Sequence, residues 1–258
     1  MSLIDTHAHL DQDEFAEDRE EVIRRADEAG ISHVIAIGIG AQSSQRCLEL
    51  AEGSVRISAA VGIQPNYCSE AAEGDWDRIV ALAENREVVA IGETGLDRHW
   101  DFTPFPLQQD YFDRHLRLAA ERDLPFVVHT RKSEEDVLYM LREARQRGPL
   151  RGVMHSFAGS QETAFECLEL GLHISFAGMV TFKKSADLRT VARSIPDERI
   201  LIETDSPYLA PHPLRGKRNE PAYLIHTARC LAEERGVEFE DFCRITSDNA
   251  GRLFGLNF

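Results

Sequence analysis

Near the start of the chain stands DTHAHL, Asp5 to Leu10, with His7 and His9 two residues apart. On a strand, residues i and i+2 point to one face, so imidazoles at this spacing make a preformed claw for a metal ion. Alone, the pair could equally be two hydrogen-bonded core histidines. Four further residues bear on the choice: Glu93 in GETGLD, His129 in VVHTR, His155 in VMHSF and Asp205 in ETDSP. Each ends a short apolar run. Each also has an ordinary reading: a core histidine, a salt-bridge partner, or, for Asp205 ahead of Ser206-Pro207, the start of a turn. Independent structural roles would not line up at the same end of five different runs. Four imidazoles and two carboxylates suffice for a two-metal centre with open positions, which can activate water against an ester.

The elements that must position these groups are legible as a repeat. Eight apolar runs recur: LIDTHAHL, SHVIAIGIG, RISAAVGI, VVAIGETGLD, PFVVHTR, RGVMHSF, LHISFAGMV and RILIETDSP. Rich in Val, Ile and Ala, they suit strands buried on both faces. Helical patterns alternate with them, at roughly 14–29, 43–53, 75–86, 107–122, 134–147, 160–170 and 185–195. In the first, Val22, Ile23, Ala26 and Ala29 form an apolar stripe that Gly30 ends. Ser160 is placed to cap the sixth. Two more helical stretches, about 221–236 and 239–254, close the chain. Strand–helix alternation without a linker predicts an α/β fold: a single (β/α)8 TIM-type barrel with extra C-terminal helices, one domain over residues 1–258. A doubly wound open sheet is the alternative; even spacing favours closure. In such a barrel the chemistry lies at the carboxyl ends of the strands, where all six residues fall. His33 and His173 begin runs, at the opposite end. His115 and His226 lie on helices, while His99 and His212 lie in loops on the catalytic side.

Hydrophobic residues make up 43% of the chain, enough for a large core. No apolar run reaches the ~18–20 residues of a membrane span, and no signal peptide is visible. The five cysteines are dispersed and form no C-x-x-C pair, which reads as reduced thiols in a cytoplasmic protein. A net charge of −15 argues against a protein that coats nucleic acid. Basic residues nevertheless gather in three loops at the catalytic end: Arg131 and Lys132; Lys183 and Lys184; Arg215, Lys217 and Arg218. They predict a basic collar able to hold a few phosphates beside the scissile bond.

DTHAHLD, GETGLDRHW, LPFVVHTR, MHSFAGS, ETDSPYLAP and RGKRNEP, in that order, resemble the TatD family of metal-dependent deoxyribonucleases, within the amidohydrolase-like barrels. The likeness spans essentially the whole chain. It implies that His7 and His9 hold one metal, that Glu93 bridges, that His129 and His155 hold a second, and that Asp205 completes the first and takes the proton of the attacking water. It further implies two divalent ions, Mg, Mn or Zn, and cleavage of DNA phosphodiesters at ends or in short single strands, with 3′→5′ polarity. One stretch departs. Where the family commonly carries histidines on the substrate side after the third strand, this chain reads GIQPNYC, with Gln64 and Asn66 as substrate contacts. Two other readings stand beside the nuclease. The same centre could cleave another ester or amide, such as an aminoacyl-tRNA, or the barrel could be a non-catalytic scaffold.

Overall fold

A computed structural model describes residues 2–256. Eight parallel strands lie side by side in sequence order. They are β1 (Leu3–Ala8), β2 (Ile31–Ile37), β3 (Ile57–Val61), β4 (Val88–Asp97), β5 (Phe126–Arg131), β6 (Gly152–Met154), β7 (Leu172–Phe176) and β8 (Ile200–Ile202). Between them run α1 (Arg19–Glu28), α2 (Ala41–Glu52), α3 (Asp75–Leu82), α4 (Phe105–Arg122), α5 (Glu134–Arg145), α6 (Gln161–Glu169) and α7 (Ala186–Ser194). After β8 come α8 (Leu224–Arg235) and α9 (Phe239–Phe254). The fold is the expected (β/α)8 barrel with extra C-terminal helices. The first helix is shorter than its apolar pattern, because Asp13–Phe15 makes a separate 3-10 turn. Ser160 caps α6 as expected, its hydroxyl accepting from the Thr163 N–H at 3.2 Å.

The seam between β1 and β8 is closed mostly at its carboxyl end. Ala8 bridges Ser206, the His9 N–H donates to Ser206 O at 2.8 Å, and the Asp205 N–H donates to His7 O at 2.9 Å. Buried Asp5 reinforces the seam, accepting from the Thr204 N–H and hydroxyl at 2.9 and 2.5 Å. The barrel is therefore sewn shut by the backbone of His7, His9 and Asp205, themselves candidate metal ligands, and of their neighbours Ala8 and Ser206.

Two packed layers result. The larger lies between sheet and helices. The smaller joins Ile4, Ile35, Ala60, Ala90, Val127, Val153 and Leu201 to Ala250, Leu253 and Phe254 of α9. The Asn249 amide donates to Ile200 O and Asp197 O, tying α9 to the start of β8. This helix thus covers the amino-terminal end of the barrel and leaves the carboxyl end to the polar site. Among the described residues, no helix is long and apolar enough to cross a membrane, and the five cysteines are free.

Candidate metal centre

Alternation along the strands aims half of the ligands. Val127 packs in the inner cluster, so His129, two residues on, faces the same way. Val153 does the same for His155, and Leu201 for Glu203 and Asp205. β1 and β4 break this parity: Ile4 and Ala90 point inward, and so, three residues later, do His7 and Glu93. The pairing shifts register between Asp5 and Ala8 and between Ile91 and Thr94, irregularities that re-aim a side chain without ending the strand. Glu93 is accordingly inside β4 rather than at its end. Gly95 allows the close approach that follows: its φ is +130°, and a Cβ there would sit 2.0 Å from His129 O.

The six residues converge. Glu93 divides its carboxylate between two pairs of rings. Oε2 lies 3.4 Å from His7 Nε2 and 3.7 Å from His9 Nε2; Oε1 lies 2.9 Å from His129 Nδ1 and 3.2 Å from His155 Nε2. Asp205 Oδ1 is 3.5 Å from His9 Nε2 and 3.7 Å from His7 Nε2. Its backbone is left-handed, at φ 56°, an uncommon conformation met at functional sites.

Within each pair, imidazole nitrogens face one another, at 3.3 Å for His7 and His9 and 3.4 Å for His129 and His155. Two such nitrogens attract only with a proton or a cation between them. The far nitrogens of three rings are anchored: His9 Nδ1 at Ile37 O (3.1 Å), His129 Nε2 at Asp97 Oδ2 (3.1 Å) and His155 Nδ1 at Glu203 Oε1 (3.3 Å). A ring that donates from its far nitrogen keeps a lone pair on the near one, the arrangement of metal-bound histidines. His7 is held differently, its ring stacked on His155 with centroids 4.0 Å apart. The donor set fits divalent cations, and nitrogen-rich ligation suits Zn or Mn readily. His7, Glu93 and His155 form one group able to hold an ion, and His7, His9 and Asp205 another.

Electrostatics favours a cation as well. Burial pushes the Glu93 pKa up, but His155, His129 and His7 outweigh it and hold the carboxyl well below its usual range. Asp205 follows the same balance, burial opposed by the His9 hydrogen bond, and ends below its ordinary value. Burial and the neighbouring His155 depress His7. Burial also works against the charged form of His9, yet Asp205 and Glu93 raise it to about 9. Both carboxylates are thus ionised at neutral pH in a water-poor site.

Two supporting acids were not among the expected site residues. Buried Asp97 accepts from His129 and the Asn66 amide at Oδ2, and from the His99 and Trp100 N–H groups at Oδ1. Glu203 receives the Ser156 N–H at 2.6 Å and the Ser175 hydroxyl at 2.5 Å while facing His155. Glu203 was accessible to strand parity, two residues before Asp205; Asp97 lies beyond a register shift that parity does not anticipate.

Above the ligands opens a cleft of about 780 Å³. Gln64, Asn66 and Arg131 line it, but the first two are tied to the protein. Gln64 Oε1 accepts from the Asn66 N–H at 2.8 Å, and the Asn66 amide donates to Asp97 at 3.0 Å. Arg218 departs from expectation. Its guanidinium donates to both oxygens of Asp18, at 2.7 Å each, and to Glu14 O at 2.6 Å. These partners on the α1 side draw it away from the cleft, which neither Arg218 nor Lys217 lines. Of the other histidines, His115 is a core residue, its Nε2 accepting from the Ile63 N–H at 2.9 Å and its Nδ1 lying 2.6 Å from Tyr111 O. His33 sits 3.0 Å from the Ser58 hydroxyl.

The family described as TatD related DNase matches residues 4–255. The chain belongs to this family. This TatD-family chain is 42% identical to a Bacillus subtilis protein named as an uncharacterized metal-dependent hydrolase, YabD, over 99% of this chain and all of that protein. It is 36% identical to the 3′-5′ ssDNA/RNA exonuclease TatD of Pantoea ananatis, over 98% of this chain and all of the relative. The crystal structure of the Escherichia coli K12 TatD homologue YJJV superposes with a TM-score of 0.92 at 30% identity, covering 99% and 98% of the two chains. The TatD-family chain is therefore a metal-dependent hydrolase acting on ester bonds.

Proposed function

We propose that the protein hydrolyses phosphodiester bonds at the ends of single-stranded DNA, with 3′→5′ polarity, using two divalent ions that Glu93 would help to hold. The observation carrying this reading is the division of the Glu93 oxygens between two facing histidine pairs. The relative named as a 3′-5′ ssDNA/RNA exonuclease supports the substrate and the polarity. When bound, such ions neutralise charge on phosphoryl oxygens and acidify water. His7 and His9 would hold one ion together with Asp205, and His129 and His155 the other. Asp205, ionised and lining the cleft, would orient the attacking water and accept its proton. Arg131, exposed on the cleft wall, would bind a neighbouring phosphate.

The test is a nuclease assay on single strands labelled at either end, with protein whose metal content has been verified. The expected result is release of nucleotides from the 3′ end, with kcat reduced roughly 10²- to 10⁴-fold in Asp205→Asn. Failure of the verified metal-loaded protein to release nucleotides from any end would overturn the proposal.

A further inference from the structure

The cleft wall beside His129 carries aromatic surface that the hydrolytic chemistry does not use. Among the described residues, seven large hydrophobic side chains are exposed, and four of them line this cleft: Tyr67 (39%), Trp100 (44%), Phe102 (60%) and Tyr208 (47%). Exposed aromatic surface gathered at one polar mouth marks a place where something apolar is received. Trp100 and Phe102 lie face to face, their planes within 9° and their centroids 5.3 Å apart. Trp100 thus stacks on Phe102, which stays exposed, and both rings line the cleft.

Three observations indicate what would continue this stack. First, Asp97 fixes both wall and centre: one oxygen holds His129, and the other receives the His99 and Trp100 N–H groups. The Trp100 backbone therefore stands two hydrogen bonds from the His129 ring. Second, Arg131 lies with its guanidinium carbon 5.6 Å from the centre of the Trp100 ring. Among the described residues it has no carboxylate partner, whereas Arg98 is paired with Asp136 at 2.6 Å. A free cation beside an open aromatic face offers one group for a phosphate and one for a flat ring, the two halves of a nucleotide. Third, the chain carries a net charge of −15, so general attraction to a polyanion is absent and local contacts must supply affinity.

We propose that Phe102, backed by Trp100, is the stacking platform for the nucleobase next to the scissile phosphate, with Arg131 on the adjoining phosphate. This deepens the phosphodiesterase reading and rests on it. Stacking ignores base identity, because every base presents a π face; the platform therefore selects for an unpaired end rather than for a sequence. A base still paired in a duplex cannot reach Phe102 without first leaving its own stack.

The experiment uses metal-loaded protein and single strands ending in a normal nucleotide or in an abasic one. Wild type is expected to prefer the normal end. Phe102→Ala should raise KM for it by roughly 5- to 150-fold, the range for loss of one base–aromatic stack, and bring the two substrates together. Phe102→Tyr, which keeps a ring, should preserve the preference. A second readout does not depend on turnover: 2-aminopurine at the terminal position, joined by a hydrolysis-resistant phosphorothioate. Its fluorescence should be quenched on binding to wild type and to Phe102→Tyr, but not to Phe102→Ala. Equal use of abasic and normal ends by wild type, or quenching that survives Phe102→Ala, overturns the platform. If wild type cleaves neither strand, the phosphodiesterase reading fails, and the quenching comparison still decides whether the base stacks on Phe102.

Discussion

Replacing Asp97 by Asn probes whether the metal centre depends on a residue that touches no metal. The new amide is nearly isosteric, and its oxygen can still receive the His99 and Trp100 N–H groups. At Oδ2 the consequence is different. Two groups, His129 Nε2 and the Asn66 amide, converge there at 3.1 and 3.0 Å, and both now find a donor. The least costly response is for His129 to move its proton to Nδ1 and accept at Nε2. That puts a proton on the atom 2.9 Å from Glu93 Oε1 and removes the lone pair needed for an ion. Burial raises the Asp97 pKa, but hydrogen bonds from His129 and Asn66 outweigh it and keep it well below the carboxylate range. The variant therefore also loses a permanent negative charge behind the ring. Loss of such a supporting partner typically costs 10- to 100-fold in metal affinity, about 1.4–2.7 kcal/mol. Calorimetric titration with Mn2+ or Zn2+ measures this directly. The thermal stabilisation produced by a fixed metal concentration should shrink in parallel, since binding to the folded state alone raises stability in proportion to log affinity. Metal affinity and stoichiometry within twofold of wild type in Asp97→Asn would refute the argument that Asp97 sets the His129 proton.

Further outcomes follow from the same geometry. His7 belongs to both candidate ligand groups, so His7→Ala should lower metal stoichiometry and reduce activity by orders of magnitude, with circular dichroism unchanged. Arg218→Ala should lower Tm by releasing Asp18 and Glu14, while the salt dependence of KM for oligonucleotides stays at the wild-type slope; a flatter slope would return Arg218 to the phosphate path. Buried His115 has its pKa pushed down to about 4, chiefly by burial, and so stays neutral in the fold. Its folded pKa lies below the unfolded one, so its contribution is intact above about pH 6.5 and is lost as pH falls towards 4. The loss is about 2 kcal/mol at pH 5, measurable by urea titration, and His115→Gln should flatten this acid limb.

The barrel and its six convergent side chains were legible in the linear chain because both are periodic. Apolar runs at even spacing specify parallel strands covered by helices, and the end of a run specifies the catalytic end of the barrel. The positions of His7, His9, His129 and His155 at that end are therefore written in the linear chain. The supporting layer was not legible to the same degree. Asp97 reaches His129 across neighbouring strands, over an irregular stretch of β4 where alternation loses count. His7 and Glu93 face inward against strand parity, through local register shifts that the residue pattern does not announce. Charge was the least legible of all. Loop position predicts a basic collar, yet Arg218 pairs with Asp18, two hundred residues earlier in the chain, while Arg131, among the described residues, has no carboxylate partner at the mouth. Sequence by itself determined which candidate metal ligands lie at the mouth, because periodicity is local. Only the tertiary structure decided which are paired, which carry the proton and which remain open to a substrate, because those depend on contacts between residues far apart in the chain.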